Sequence, residues 1–290
     1  MPLPTFLLCG AQKAGTTALY EALRTHPDVC MSRPKETEFF NWRYRRGWEW
    51  FATHFDHHDG EAAIGEASTR TMPTPEAPER IAERLSEVKL IFVLRDPAER
   101  AHSAFWYYVE QGILCQGADF SAFIRNEGHP LRQEIMLYGD YYQHLDRFLQ
   151  VFDHSQFLLI RHRDLLEEMR TELKRTLRFV GGDPADLGSK SVSTRSNTTR
   201  YPRSQLLHGL ARRVWKPMDR LVSHWAPGVA KKIRHVGKQW SLGADRPSLT
   251  SADRSYLWRR YESMTHELER RFDLDLRHWG PQQETVRSRA

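Results

Sequence analysis

This chain has few cysteines, no long apolar run and no repetitive segment. Its three cysteines, Cys9, Cys30 and Cys115, share no metal-ligand or redox spacing. A set so sparse and odd in number excludes a disulfide scaffold and points to reduced thiols in a cytoplasmic protein. Cys9 lies inside the first apolar run and reads as core. No apolar stretch approaches the ~18–20 residues that cross a bilayer. The N-terminus carries no charged leader followed by a long apolar segment, so no signal peptide is expected. No internal repeat or low-complexity tract is present, which removes repeat architectures. No strong charge bias is present either. Lys and Arg number 43 against 37 Asp and Glu, a net charge of +6. That balance suits a solubilising surface or an anionic ligand, and charge alone does not choose.

What is present is a chain of 290 residues, long enough to bury a full core as one domain or one plus a subdomain. A first strand is predicted over 5–9 and a helix over 16–25, stopped by His26-Pro27. Residues 28–60 read as irregular and aromatic. A short strand follows over 62–66, a helix over 76–86, a buried strand over 88–94 and a helix over 98–110. A helix over 139–152 leads to a strand over 156–160. Leu165, Leu166, Met169, Leu173 and Leu177 lie at helical spacing and predict one helix closed by Gly181-Gly182. The final helix is predicted over 251–272, with Thr250 and Asp253 as its cap. This alternation implies an α/β fold with a parallel sheet flanked by helices. The expected organisation is a single domain over 1–290, with an α/β core over 1–204 and a helical C-terminal part over 205–290.

The most informative stretch is Gly10-Ala11-Gln12-Lys13-Ala14-Gly15-Thr16-Thr17, between the first strand and the first helix. A glycine-rich turn there aims backbone amides and a helix N-terminus at one anion. The triphosphate loop, G-x-x-x-x-G-K-[ST], places its lysine after the second glycine. Here Thr16 follows Gly15, and the lysine is Lys13, on the crown of the turn. From there it can sit beside a phosphate and the group attached to it, while Thr16 and Thr17 offer hydroxyls to phosphate oxygens. No second acidic site for magnesium follows the next long strand, which ends instead in Arg95.

The run from Gly10 to Tyr20 closely resembles the 5′-phosphosulfate loop of sulfotransferases that use 3′-phosphoadenylyl sulfate (PAPS). It is most similar to the heparan-sulfate type and related bacterial enzymes. Three further segments agree in order. Lys35-Glu36-Thr37-Glu38-Phe39-Phe40 resembles the segment that carries the general base, which the resemblance assigns to Glu36, with Glu38 its rival. A carboxylate is suited to take the proton of a hydroxyl attacking sulfur. The run from Arg95-Asp96-Pro97 to Ser103 resembles the element that holds the donor's 3′-phosphate, through Arg95 and Ser103. Glu99, Arg100 and His102 read as structural. Asn197 to Ser204 sits where relatives have a basic loop over the 3′-phosphate and adenine, with Arg200 its best candidate and Arg203 second.

The resemblance covers about 5–204 and implies a P-loop-like fold. It assigns Gln12, Lys13, Ala14, Gly15, Thr16, Thr17, Arg95, Ser103 and Arg200 to the donor, with adenosine 3′,5′-bisphosphate as product and no metal. Lys13 and Glu36 are the catalytic pair. The acceptor is a hydroxyl, less readily an amine, of a glycan, lipid or secondary metabolite. Many heparan-sulfate enzymes have a lysine where this chain has Ala67, which leaves Lys13 as the clearest catalytic cation. A kinase or nucleotide hydrolase of similar fold and a non-enzymatic binder of nucleic acid or acidic polysaccharide stand as alternatives. His54, His57 and His58 with Asp56 and Asp59 superficially resemble a metal cluster but lack clean helical spacing. The basic residues over 212–238 read as a solvated face. Neither nucleic-acid binding nor any particular oligomeric state is expected from the sequence.

Overall fold

The computed structural model describes residues 2–115, 117–185, 187, 201–202, 242–244 and 247–281. The first apolar run forms β1 (Phe6–Gly10). It lies at the centre of a parallel sheet with β2 (Val29–Met31), β3 (Ala63–Ala67), β4 (Lys89–Leu94) and β5 (Phe157–Arg161), in the order β2-β3-β1-β4-β5. Every residue of β1 and β3 is buried. This is why β1 reads as a continuous apolar run and not as an in–out alternation, whereas β3 buries Glu66 among its small and apolar residues. Phe6 pairs with Gly65 on one side and Lys89 on the other, and the β1–β4 register becomes irregular between Leu8 and Gly10. The ladder therefore loosens where the glycine-rich turn begins. The chain moves from β1 to one side of the sheet for β2 and β3, then crosses to the other side for β4. Such a reversal opens a crevice at the carboxyl ends of the strands, where ligands of open α/β sheets bind.

The helices are α1 (Thr16–Leu23), α2 (Gly47–Ala52), α3 (Ala77–Ala82), α4 (Pro97–Glu110), α5 (Phe120–Arg125), α6 (Pro130–Leu137), α7 (Tyr141–Leu149), α8 (His162–Glu167), α9 (Met169–Val180) and α10 (Ser251–Phe272). Three differences from the sequence reading have clear causes. Residues 29–31, expected to be irregular, form β2, an edge strand too short for its periodicity to show. The single helix expected over 165–177 is two, because Glu168 leaves the helical region at φ −132°, ψ 43°. Leucines at helical spacing continue across that break and hide it. The first helix ends at Leu23, two residues before the expected stop. Helix α9 buries Met169, Leu173, Leu177 and Val180 and closes on a left-handed Gly181, as its spacing predicts. In α10, Thr250 caps the helix by accepting the Asp253 N–H at 3.1 Å.

The chain forms two compact units. The first comprises residues 1–101, 128–197 and 250–290, and so holds the five-stranded sheet together with α10. Tyr261 of α10 is buried there and donates to the Met136 carbonyl at 2.8 Å. The second comprises residues 102–127 and 198–249. It contains an aromatic cluster in which Phe105 meets Trp106, Phe120 and Phe123, and the Trp106 indole donates to His102 at 2.8 Å. A two-stranded pair, β6 (Tyr201–Pro202) and β7 (Leu242–Ala244), also falls in it.

One glycine in the sheet is dictated by close approach. A Cβ on Gly65 would lie 2.2 Å from the Phe6 ring and 2.6 Å from Met31 Sδ, with both residues fully buried. Gly65→Ala is expected to lower stability by about 1–3 kcal/mol through overpacking, read as a drop in denaturation midpoint with unchanged slope.

Candidate active site

The turn after β1 is built on backbone geometry that its residues must tolerate. Lys13 and Gly15 both have positive φ, at 67° and 97°. Left-handed positions within a tight turn bring successive backbone N–H groups toward one point, which makes an anion cradle. A Cβ on Gly15 would also lie 3.0 Å from the His162 ring, so glycine is required by conformation and by space. No described side chain caps α1. An uncapped helix start leaves first-turn N–H groups that an anion can use. Thr16 is buried at the helix start, whereas Thr17 is exposed.

The ends of β4 and β5 hold this turn. From β4, Ala11 N–H donates to the Val93 carbonyl at 2.8 Å. The Arg95 guanidinium donates to the Lys13 carbonyl at 3.2 Å, so the arginine expected to hold one phosphate also fixes the lysine expected to serve the other. Just before the turn, Met72 N–H, from the loop that follows β3, donates to the Cys9 carbonyl of β1 at 2.9 Å. From β5, His162 Nδ1 lies 2.8 Å from the Ala14 carbonyl. A carbonyl only accepts, so Nδ1 carries the proton. Burial, aided by the Arg95 charge, pushes the His162 pKa down to about 4, so the ring is neutral at physiological pH. His162 was missed by the sequence reading. Its only local signal is its place at a strand-to-helix junction.

Arg95 is itself restrained on three sides. Its Nε and Nη2 donate to Glu99 at 3.4 and 3.3 Å, and its own carbonyl accepts from the Tyr141 hydroxyl at 2.9 Å. Glu99, read as structural in the sequence, pairs with Arg95 ahead of the helix and with Arg254. Arg100 is fully buried and donates to the Ile135 carbonyl, which makes it a packing residue. Ser103 is buried on α4 and falls in the second unit. Arg200 lies outside the described residues.

The acidic segment is pinned to the end of β3. Glu36 N–H donates to the Ala67 carbonyl at 2.8 Å, and its carboxylate accepts the Thr69 N–H at 2.8 Å while pairing with Lys35. Glu36 and Glu38 both have positive φ, 61° and 58°. Such strain on non-glycine residues persists only where surrounding contacts enforce it. Glu38 engages Asn41, and burial with repulsion from Glu36 pushes its carboxyl up. Glu66 is almost fully buried and accepts Thr37 Oγ1 at 2.8 Å and Ser68 Oγ. Ser68 Oγ in turn accepts the Glu38 N–H at 3.0 Å. Glu66 thus sets the conformation of the segment that displays Glu36. Burial raises its pKa to about 7, Ser68 and Thr37 oppose the rise, and Glu36 repulsion adds to it.

The aromatic run beyond it divides between core and surface. Phe39 and Phe51 are buried and stacked at 4.2 Å, whereas Trp42 is exposed with the Arg70 guanidinium 4.9 Å over its ring. The histidines of the apparent metal cluster have separate partners. His54 faces the Trp50 and Phe51 carbonyls, His57 the Met31 carbonyl, and His58 that of Glu61.

The raised Glu66 pKa makes a signed prediction. Its folded pKa lies above its unfolded value, so the fold takes up the proton. The resulting stabilisation is full below about pH 4.5 and is lost as pH rises through about 7. Glu66→Gln mimics the protonated carboxyl. Its stability relative to the parent is expected to increase between pH 5 and 8, by an amount on the order of 2 kcal/mol. Paired denaturation curves across that range check this.

The family model described as sulfotransferase domain matches residues 3–201. The chain is 32% identical over 199 residues to the mouse bifunctional heparan sulfate N-deacetylase/N-sulfotransferase 4, covering 63% of this chain and 23% of that protein. It is 33% identical over 180 residues to the human heparan sulfate glucosamine 3-O-sulfotransferase 6, covering 61% of this chain and 52% of that protein. It spans about a quarter of the length of the first curated relatives it matches. Among solved structures, a sulfotransferase from Alicyclobacillus acidocaldarius is similar in fold, with a TM-score of 0.61 at 23% identity, over 77% of this chain and 96% of that one. With a family model covering more than half of its length and a matching parallel-sheet fold, this chain belongs to the sulfotransferase domain family.

Proposed function

We propose that this protein transfers a sulfuryl group from PAPS to an acceptor hydroxyl. The observation that carries the reading is the turn after β1. It is left-handed at Lys13 and Gly15, leads into an uncapped helix, and has its lysine on the crown instead of after the second glycine. A cradle of backbone N–H groups with one adjacent cation fits a phosphosulfate. It does not fit a triphosphate with magnesium, whose loop needs its lysine at the position of Thr16. Gln12, Lys13, Ala14, Gly15, Thr16 and Thr17 would hold the 5′-phosphosulfate, and Arg95 would hold the 3′-phosphate, its planar guanidinium matching phosphate geometry. PAPS supplies an activated sulfuryl group whose leaving group is a phosphate oxygen.

The chain's own residues then supply position and charge. Glu36, held by Thr69 and Lys35, takes the acceptor proton as the new S–O bond forms. Lys13 places its ammonium where charge grows on the departing phosphate oxygen. Its backbone carbonyl is held by Arg95, which fixes the crown of the turn from which the side chain extends. Burial raises the Glu66 pKa to about 7, so below that pH its neutral form dominates and adds little negative charge beside Glu36.

The acceptor we infer is a glycan, an inference supported by the printed activities of the heparan sulfate relatives. The exposed Trp42 with its stacked Arg70 offers a surface for a sugar ring and an anionic substituent. No described helix is long and apolar enough to cross a membrane. All three cysteines are free thiols, which supports work in a reducing compartment such as the cytoplasm.

Isothermal titration with adenosine 3′,5′-bisphosphate tests the donor reading, and absence of binding by folded protein sinks it. Lys13→Ala and Arg95→Ala are each expected to weaken that binding by about 10- to 100-fold, the effect of losing one charged hydrogen-bonding partner. Glu36→Gln is expected to leave binding intact and to cut turnover with labelled PAPS by about 10²–10⁴-fold. Normal turnover by that variant moves the base to Glu38 or Glu66.

A further inference from the structure

The first turn of α10 reaches the donor-side arginine through an unbroken chain of charges. Arg254 forks between two carboxylates of the β4–α4 junction. Its Nη1 engages Asp96, and its Nη2 donates to Glu99 Oε1 at 3.0 Å. The other oxygen of Glu99 takes the Nε and Nη2 of Arg95, whose Nη1 ends on the Lys13 carbonyl. Asp96 contributes its second oxygen to the start of α4, accepting the Ala98 N–H at 2.8 Å. All of these residues lie in the first unit.

The arrangement is more than a surface ion pair. The side chains of Arg254, Arg95 and Asp96 are 21%, 15% and 6% exposed and that of Glu99 is 40% exposed, so the network is shielded from water at Asp96 and partly open at Glu99. Two carboxylates face two guanidiniums, and the set is neutral. Glu99 divides its oxygens, Oε1 to Arg254 at 3.0 Å and Oε2 to Arg95 at 3.3 and 3.4 Å, so two guanidiniums share its charge and one of them does not face the turn. Without Arg254, Arg95 would be the one cation left paired with Glu99 among the described residues. Glu99 would then draw that guanidinium to itself and stand uncompensated beside any phosphate that Arg95 binds.

We propose that Arg254 is a positioning residue for the 3′-phosphate of the donor: it holds and neutralises Glu99, and so keeps Arg95 aimed and available. This rests on the reading of Arg95 as the 3′-phosphate arginine. It gives the C-terminal helix a part in donor selection, although that helix lies more than 150 positions from the phosphate motifs in sequence. A lysine could not replace the arginine, because one ammonium on a flexible stem cannot present two planar donors to two fixed carboxylates.

The test is the affinity of the full chain for adenosine 3′,5′-bisphosphate and for adenosine 5′-phosphate, which lacks the 3′ group, with thermal melting as a folding control. Arg254→Gln is expected to weaken the bisphosphate by about tenfold and the monophosphate by less than about twofold. Arg254→Lys keeps the charge at this half-buried position and is expected to show most of the same selective loss. Adding Glu99→Gln to Arg254→Gln removes the uncompensated carboxylate and is expected to recover most of the bisphosphate affinity. Equal losses for both ligands, parent-like affinity in either single variant, or no recovery in the double variant would each overturn the proposal. Failure of the parent protein to bind the bisphosphate at all is a different result. It removes the donor reading, and this inference with it.

Discussion

The candidate site depends on the hydrogen bonds that tie the turn after β1 to neighbouring strand ends, among them the one from the Arg95 guanidinium to the carbonyl of Lys13. The turn after β1 has few means of holding itself. Its glycines relax the backbone, and Lys13 adopts a left-handed conformation that a side chain resists. Arg95 supplies the missing restraint from the end of β4, and His162 supplies a second from the end of β5 by donating to Ala14. The parallel sheet brings the three strand ends together because β1 lies between β3 and β4 and because β4 pairs with β5. Burial of five apolar strands therefore does indirect chemical work: it fixes where an arginine and a histidine meet a loop that neither adjoins in sequence.

A second constraint governs the acidic segment. Three carboxylates, Glu36, Glu38 and Glu66, lie close enough for Glu36 to raise the pKa of the other two. They are tolerated together because their surroundings differ. Glu66 is buried with hydroxyl donors, and burial favours its neutral form. Glu36 is instead partly exposed and held by the Thr69 amide and Lys35. Environment thus divides the roles, leaving one group structural and one able to accept a proton.

Much of this was legible in the sequence, for definable reasons. Strands β1, β4 and β5 were clear because each is a compact apolar run bounded by turn residues. The span of α10 was clear because its cap and apolar spacing agree. The phosphate turn could be read because its chemistry is local, within one strand, turn and helix. The short edge strand β2 was not legible, since three residues carry no period. Nor was the break between α8 and α9, where the leucine spacing runs through a residue that the backbone turns out of the helix. The partners of the site were hidden for another reason: Lys13 and Arg95 are 82 positions apart, Ala14 and His162 148, Asp96 and Arg254 158.

By itself the sequence determined what the turn can bind: glycines at the two ends of a strand-to-helix turn, a lysine on its crown and hydroxyls at the helix start are local facts. It also determined the fold class, because the order of buried runs and amphipathic segments permits few arrangements. Only the tertiary structure decided which distant groups fix that turn, that Glu66 and not Glu36 is the fully buried carboxyl, and that Arg254 completes the charge network around Arg95. The physical reason is the same in each case. Local pattern encodes backbone conformation and burial, whereas an ion pair or a shifted pKa depends on groups that only packing brings within a few ångströms.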